Sequence, residues 1–364
     1  MGNPETTDAD RKTLYLNMEV SGCVSACAHC WAQGHPYPPM GADDIERVLE
    51  EGARFCGVEG LRFHPFPMHE VLMHPDALKL IRLFYSYAGV KLKLGTSGHA
   101  LAQRADWEEI LNGLKELGTT TLWFAFHGLD DVHDRVANHK GAFRDTITTI
   151  ERAKSIGLWC GTNLFLTSAS AHQIPDILQF FRNVGIDEFS AEVARYNPHP
   201  RGRAYEALRP ELDQLLPHAQ SMAEATGWHK DFWSNLEQHT EAYYINAALT
   251  KQEPELTWFQ PNPNRINVFC RTNMDVHSGL GPSNGPCHGN LRTDDAHATF
   301  ANALNAWPVS EQELVYPGVL IFSPLELARQ WGDPQGSKVY MNELGLYVRL
   351  LDVALGGAQP IDGV

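Results

Sequence analysis

No stretch of the sequence approaches the roughly 20 apolar residues needed to span a bilayer. The first 13 residues are polar and charged, without the apolar core of a signal peptide. Positive charge is in deficit, with 29 Lys and Arg against 44 Asp and Glu and a formal net charge of −15. That balance repels phosphate backbones and anionic lipid, so no nucleic-acid or membrane partner is expected. Cysteine is scarce, and the count of seven is odd, which argues against a disulfide framework in a chain without a secretion signal. Solenoid repeats and low-complexity segments are both lacking. The expectation is a cytoplasmic globular protein.

What is present is an alternation of short apolar runs with helical patterns. Residues 14–20, 61–64, 90–94, 121–126, 158–166 and 188–193 read as strands. Amphipathic helices lie between them; Trp107, Ile110, Leu111, Leu114 and Leu117 share one helical face. Cys56 falls on the apolar face of Ile45, Val48 and Leu49, as a core thiol would. Strand then helix, repeated about six times, implies parallel strands with right-handed crossovers. Six units are fewer than a complete (β/α)8 barrel needs. The expected fold is therefore α/β, a partial (β/α)6 barrel of parallel strands with a smaller, mostly helical and loop C-terminal extension. Residues 1–13 read as a tail, 14–210 as the barrel and 211–364 as the extension. Three helical stretches are expected near 210–226, 228–250 and 339–354, with loop or a short hairpin between 261 and 286.

The first strand runs into SGCVSACAHCW, which sets Cys23, Cys27 and Cys30 at Cys-x3-Cys-x2-Cys spacing. Thiolates are soft ligands suited to iron–sulfur clusters, and three of them leave one iron of a cubane open to a small molecule. The loop falls at the carboxyl end of strand one, where a barrel carries its chemistry. The alternative is structural zinc, with His29 or His35 as fourth ligand, although three thiols in one loop fit zinc sites poorly.

The spacing resembles that of radical S-adenosylmethionine (SAM) enzymes, and the similarity covers about residues 14–310. His29 takes the slot before the third cysteine where that family commonly has a ring. After strand two, Met68-His69-Glu70 and His74-Pro75 keep the Glu and His-Pro of the family's Gly-Gly-Glu-Pro…His-Pro segment but lose its glycines. Thr96-Ser97-Gly98 stands where Thr-Asn-Gly is frequent. Gly128, His133-Asp134 and Gly141-Ala142-Phe143 follow strand four, and Pro200-Arg201-Gly202-Arg203-Ala204 is similar to a P-x-G-R-A that follows strand six.

The resemblance implies that Cys23, Cys27 and Cys30 hold a [4Fe–4S] cluster whose fourth iron is chelated by SAM. One electron, from a donor such as flavodoxin or ferredoxin, then cleaves SAM to a 5′-deoxyadenosyl radical that takes a hydrogen atom from substrate. Met68, His69 and Glu70 are expected beside the SAM amino group, with Thr96 and Ser97 on the same side. A Ser common on strand four is Ala125 here, and a family Arg is replaced by Ala137, leaving Arg135 or Lys140 for the SAM carboxylate. Asn163 and Glu192 are expected to point into the barrel and reach the ribose or amino group. His127, at the end of strand four, is a candidate catalytic base or donor, with a structural hydrogen bond as its other reading. Cys160 is a candidate hydrogen-atom donor or, more simply, a core thiol.

The tail carries Cys270 and Cys287, and Pro286-Cys287-His288-Gly289-Asn290-Leu291 is similar to the signature of the SPASM/twitch extensions that bind auxiliary clusters. No cysteine follows Cys287. The auxiliary cluster is lost, or it uses His277, His288 or an acid, or the two thiols do something else. Loss is favoured, because two thiolates hold a cluster weakly. Loss removes an internal electron acceptor and favours epimerisation, rearrangement or elimination over net oxidation. The cysteine loop begins about 20 residues in, so no N-terminal peptide-recognition domain is expected, and a peptide substrate would bind through the tail or a separate partner protein. The substrate classes are a ribosomal peptide or an amino sugar or aminocyclitol in natural-product biosynthesis. The alternatives are a non-catalytic iron–sulfur scaffold or electron carrier and a zinc-stabilised binding protein.

Overall fold

The computed structural model describes residues 12–30, 37–89, 93–198, 200–227, 229–250, 264–278, 285–306 and 322–357. Six parallel strands alternate with helices: β1 (Thr13–Glu19), β2 (Arg62–Met68), β3 (Leu94–Thr96), β4 (Thr121–Phe126), β5 (Trp159–Phe165) and β6 (Glu188–Glu192). The crossovers carry α1 (Ala42–Glu59), α2 (Ala77–Ala88), α3 (His99–Gln103), α4 (Trp107–Glu116), α5 (Asp130–Ala137), α6 (Ala142–Ile156) and α7 (Ile174–Val184). This is the expected α/β partial barrel. Its apolar faces bury against the strands as the periodicity predicts, Cys56 among them. Most of strand three as expected from sequence, residues 90–92, lies outside the described residues.

The hydrogen bonding divides the strands into two sheets, ordered β3-β4-β5-β6 and β2-β1-β7-β8-β9. Among the described residues no ladder joins β2 to β3. Pro65 and Pro67 in β2 have their nitrogens on the edge facing away from β1. Neither has an N–H to donate, so β2 makes a natural sheet border.

The last three strands include the short hairpin expected between 261 and 286 but join the barrel sheet instead of forming a separate extension. β7 (Arg265–Cys270) runs parallel to β1, and β8 (Asp275–Ser278) and β9 (Cys287–Asn290) follow antiparallel. The segment read as loop or short hairpin thus extends the barrel sheet beyond its first strand. Sequence alternation marks strands but not their partners, and β7 lies about 250 residues from β1 in sequence.

The remaining extension is helical: α8 (Pro200–Glu206), α9 (Leu212–Leu215), α10 (Ala219–Ala225), α11 (Lys230–Ser234), α12 (Glu241–Thr250), α13 (Ala296–Asn305), α14 (Pro324–Trp331) and α15 (Glu343–Ala354). Its expected long helices at 210–226 and 228–250 are broken into shorter pieces. α8 starts at the Pro-Arg-Gly-Arg segment. A Cβ on Gly202 would lie 2.0 Å from the Asn197 carbonyl oxygen, so only glycine lets the helix start against that turn.

Arg203 donates from Nε and one terminal nitrogen to the two oxygens of Asp352 in α15, each at 2.7 Å, and Tyr196 donates to the same carboxylate. Removing one member of such a buried pair costs about 3–5 kcal/mol. Arg203 is partly exposed, so Asp352→Ala should fall toward the lower end of that range in denaturant unfolding. A loss below about 1 kcal/mol, the value of an exposed pair, would show that this clasp does not hold α15.

Candidate active site at the carboxyl edge of the barrel

Side chains alternate across each strand, so one face of the sheets looks inward and the other meets the helices. Leu16 of β1 packs toward Gly52 of α1, which puts Tyr15, Asn17 and Glu19 on the inner face. On β5 the inner residues are Gly161, Asn163 and Phe165. Their register partners on β6 are Glu188, Ser190 and Glu192, so Asn163 and Glu192 both face inward. Burial raises the Glu192 pKa, opposed by Arg195.

The cysteine loop leaves the carboxyl end of β1 and is pinned to the end of α5. Ala26 and Ala28 donate their N–H groups to the Ala137 and Val136 carbonyls at 3.0 and 3.2 Å. These are helix-terminal carbonyls that lack a partner within the helix. Cys23, Cys27 and Cys30 are free thiols, each partly buried. Burial, with the nearby Glu70 and Cys30, pushes Cys23 up to about 12. Cys27 is raised by burial and by its two neighbouring thiols. Cys23 and Cys27 thus resist ionisation unless a cation takes their charge, as a cluster ligand set requires.

His29 sits between the thiols and the inner wall. Its ring stacks on Phe165 at 4.2 Å between centroids and meets His127 edge-on at 4.8 Å. Burial pushes its pKa down to about 4, so it is a neutral packing ring. His127 is also fully buried, and burial, then His29 and His133, hold its pKa well below the ordinary value. That makes it a poor proton acceptor. Its Nε2 lies 3.7 Å from the Cys27 sulfur, and its backbone N–H reaches His133 Nδ1 at 3.3 Å. The next motif residue, Asp134, accepts from the Gly141 and Phe143 N–H groups at the start of α6. The His-Asp pair therefore braces this edge.

Glu70 joins the second strand end to the third. Its Oε2 accepts from Thr96 Oγ1 at 3.1 Å, Ser97 N at 2.5 Å and Ser97 Oγ at 2.9 Å, while Ser21 of the cysteine loop donates to its carbonyl at 2.6 Å. Burial raises its pKa against these donors. Its Oε1 is buried with no hydrogen-bond partner. A buried carboxylate oxygen without a donor fits an incoming ammonium group. Gly98, just beyond, has φ +82°, and a Cβ there would lie 2.6 Å from Thr146 Cα.

Met68 is buried at the end of β2, and His69 adopts φ 60°. The left-handed region favours glycine, so histidine here carries strain of about 1–2 kcal/mol. The ring is held in a polar group that sequence reasoning missed. Its Nε2 lies 3.7 Å from Glu19 Oε1, Arg271 Nε is 3.8 Å from Glu19 Oε2, and the Tyr37 ring is 5.7 Å from the His69 ring. These residues come from four distant segments, and only the inward parity of Glu19 on β1 could have flagged it.

Three expected site residues are not brought in. Cys160 lies near the amino end of β5 on its helix-facing side, with its sulfur 4.0 Å from the Ile150 carbonyl of α6. The hydrogen-atom-donor reading is thereby corrected to a core thiol, because β5 alternation points it away from the barrel interior. Arg135 is exposed on α5, as is Lys140 just beyond it. His35 lies outside the described residues.

In the tail, Cys270 pairs across from Val276, and Cys287 from His277. Neighbouring ladder positions face opposite sides, and Cys270 is buried in the core while Cys287 is exposed. The two thiols are not poised to share one cluster.

The family description Radical SAM superfamily matches residues 20–181, the span that carries the cysteine loop, Glu70 and strands β2 to β5. Those residues form a radical SAM domain. It is 21% identical over 173 residues to the sporulation killing factor maturation protein SkfB of Bacillus subtilis (strain 168), covering 47% of this chain and 40% of SkfB. It is 20% identical over 281 residues to Fe-coproporphyrin III synthase of Methanosarcina barkeri (strain Fusaro / DSM 804), covering 72% of this chain and 66% of the synthase. The chain thus spans less than two thirds of the length of either relative. Native anSMEcpe, solved with bound AdoMet and Cp18Cys peptide, superposes with a TM-score of 0.53 at 13% identity, covering 94% of this chain and 99% of that one. Radical SAM enzymes use a [4Fe–4S] cluster and SAM. The soft thiol set on one loop and the unpartnered Glu70 oxygen fit both groups. Among the described residues, no helix is long and apolar enough to cross a membrane.

Proposed function

We propose that this radical SAM chain abstracts a hydrogen atom from a ribosomally made peptide and completes a redox-neutral or net reductive change such as epimerisation, rearrangement or elimination. In this reading Cys23, Cys27 and Cys30 hold the cluster, and Glu70, oriented by Thr96 and Ser97, receives the SAM amino group. When bound, cluster and SAM supply one-electron cleavage to a 5′-deoxyadenosyl radical. The protein's part is positional. His29 and Phe165 wall the cysteine loop from solvent, His127 directs its Nε2 at the Cys27 sulfur, and Asn163 and Glu192 line the space where adenosine and substrate would meet.

The observation that carries the redox-neutral outcome is the placement of Cys270 and Cys287 on opposite faces of their sheet. An enzyme without a second cluster has no internal acceptor for a further electron. The peptide class is supported by SkfB, named for maturation of a killing factor, and by anSMEcpe, solved with a peptide. A small flavodoxin or ferredoxin would deliver the electron.

The test is anaerobic incubation of the iron–sulfide-reconstituted chain with dithionite, SAM and candidate precursor peptides, with 5′-deoxyadenosine and peptide mass measured together. About four irons per chain, 5′-deoxyadenosine and a peptide with an unchanged or increased hydrogen count are expected. A peptide that has lost two hydrogens would overturn the redox assignment. Turnover of an amino sugar but of no peptide would overturn the substrate class.

A further inference from the structure

The tail leaves one constellation that the radical chemistry does not use. On β8, Asp275 and His277 are two residues apart and share a face, and Cys287 of β9 is the cross-strand partner of His277. One donor atom from each of the three lies within 4.8 Å of the others. Register carries this face inward: His277 pairs with Phe269 of β7, which pairs with Asn17 of β1.

Two of the three side chains, His277 and Asp275, are set as ligands are, while the exposed Cys287 thiol lies 3.7 Å from the Gly289 carbonyl oxygen and must turn from it to bind. His277 is 3% exposed, and its Nδ1 lies 3.1 Å from the Gly285 carbonyl oxygen. A carbonyl only accepts, so Nδ1 carries the proton and Nε2 keeps its lone pair. That Nε2 is buried with no hydrogen-bond partner. Donation of one ring nitrogen to a backbone carbonyl is how metal-bound histidines are oriented. Asp275 is held in the same manner, with Asn290 Nδ2 donating to Oδ1 at 2.8 Å and Asn273 Nδ2 to Oδ2 at 2.6 Å. The neighbouring alternatives are engaged elsewhere. Cys270 is in the core on the opposite face, and His288 Nε2 is 2.8 Å from Ser278 Oγ.

We infer that Asp275, His277 and Cys287 form a mononuclear zinc site that fastens β9 to β8, with a water completing the coordination. One carboxylate, one imidazole and one thiolate suit zinc, whereas an iron–sulfur cluster calls for a fuller set of thiolates. The site is separate from the cysteine loop, so a failure to bind zinc leaves the reaction proposed above untouched, whereas a second cluster at Cys287 would overturn both the zinc site and the redox-neutral reading.

The experiment uses the full chain after iron–sulfide reconstitution, supplied with one equivalent of zinc and desalted. Metal content and zinc K-edge X-ray absorption are then measured. About one zinc per chain is expected, with a single sulfur and otherwise nitrogen or oxygen neighbours. Cys287→Ser and His277→Ala should each weaken zinc binding at least 10-fold, as loss of even an outer-shell partner can, while Cys270→Ser leaves it unchanged. Cys287 is exposed, so its serine variant should keep the fold, which unchanged circular dichroism and four retained irons would verify. Failure to retain zinc, a zinc shell of three or more sulfurs, or equal loss in Cys270→Ser would overturn the site. So would about eight irons per chain that fall to four in Cys287→Ser, the result expected of an auxiliary cluster.

Discussion

Cys27→Ala should yield a folded protein with no stable [4Fe–4S] cluster and no detectable 5′-deoxyadenosine. Cys27 occupies the middle of the ligand loop, and its sulfur faces the buried His127 at 3.7 Å. Two remaining thiolates hold a cluster poorly. The loop itself does not depend on the sulfur, because Ala26 and Ala28 anchor it to α5 through backbone groups. Removing a thiol that burial keeps protonated also relieves rather than creates a polar demand in the metal-free protein. Unfolding midpoints of the metal-free proteins should therefore agree closely, while iron content and SAM cleavage collapse. A Cys27→Ala protein that retains about four irons and cleaves SAM would refute the ligand assignment.

Glu70→Ala is expected to have the next largest effect, on both stability and SAM binding. The change strips Thr96 Oγ1, Ser97 Oγ and the Ser97 N–H of a shared acceptor in a buried corner. Hydrogen bonds to charged groups contribute roughly 1.5–3 kcal/mol each, and water entering the vacated space offsets part of the loss. A net destabilisation of about 2–4 kcal/mol follows. If Glu70 receives the SAM ammonium, SAM affinity should fall about 10–100-fold, since each 1.4 kcal/mol is about tenfold.

Glu70→Gln separates charge from shape. Burial raises the Glu70 pKa in the folded protein. A raised acid contributes stability that is fully present below its unfolded pKa and is lost as pH rises through the folded value. The metal-free wild type should therefore lose stability with rising pH above the ordinary glutamate range, and Glu70→Gln should lose less. Identical pH slopes would show that Glu70 ionises freely. Undiminished SAM binding in both variants would remove it from the amino-group site.

His69 illustrates where sequence comparison and structure meet. The missing glycines of the Gly-Gly-Glu segment were legible as a departure. The structure keeps the left-handed backbone that a glycine would adopt and forces histidine into it at φ 60°. Its ring then lies beside Glu19 and Tyr37, next to the expected SAM edge. A glycine-like backbone conformation thus carries a histidine side chain, which a pattern of letters cannot convey.

The sequence by itself determined the α/β alternation, the six parallel strands and the cysteine loop at a strand's carboxyl end. Those features are local: hydrophobic period and ligand spacing are written in consecutive residues. It also brought Glu70, Thr96 and Ser97 into view, through the resemblance of their segments to motifs of the radical SAM family. Tertiary structure alone decided which way each side chain faces and which distant strands pair. It turned Cys160 toward α6, set β7 beside β1, put Cys270 and Cys287 on opposite faces, and gathered Asp275, His277 and Cys287 on one. Strand parity reverses with a shift of a single residue, and pairing across about 250 residues leaves no mark in local sequence. Function at this site depends on both, since the motif supplies the donors and the register decides which of them can meet.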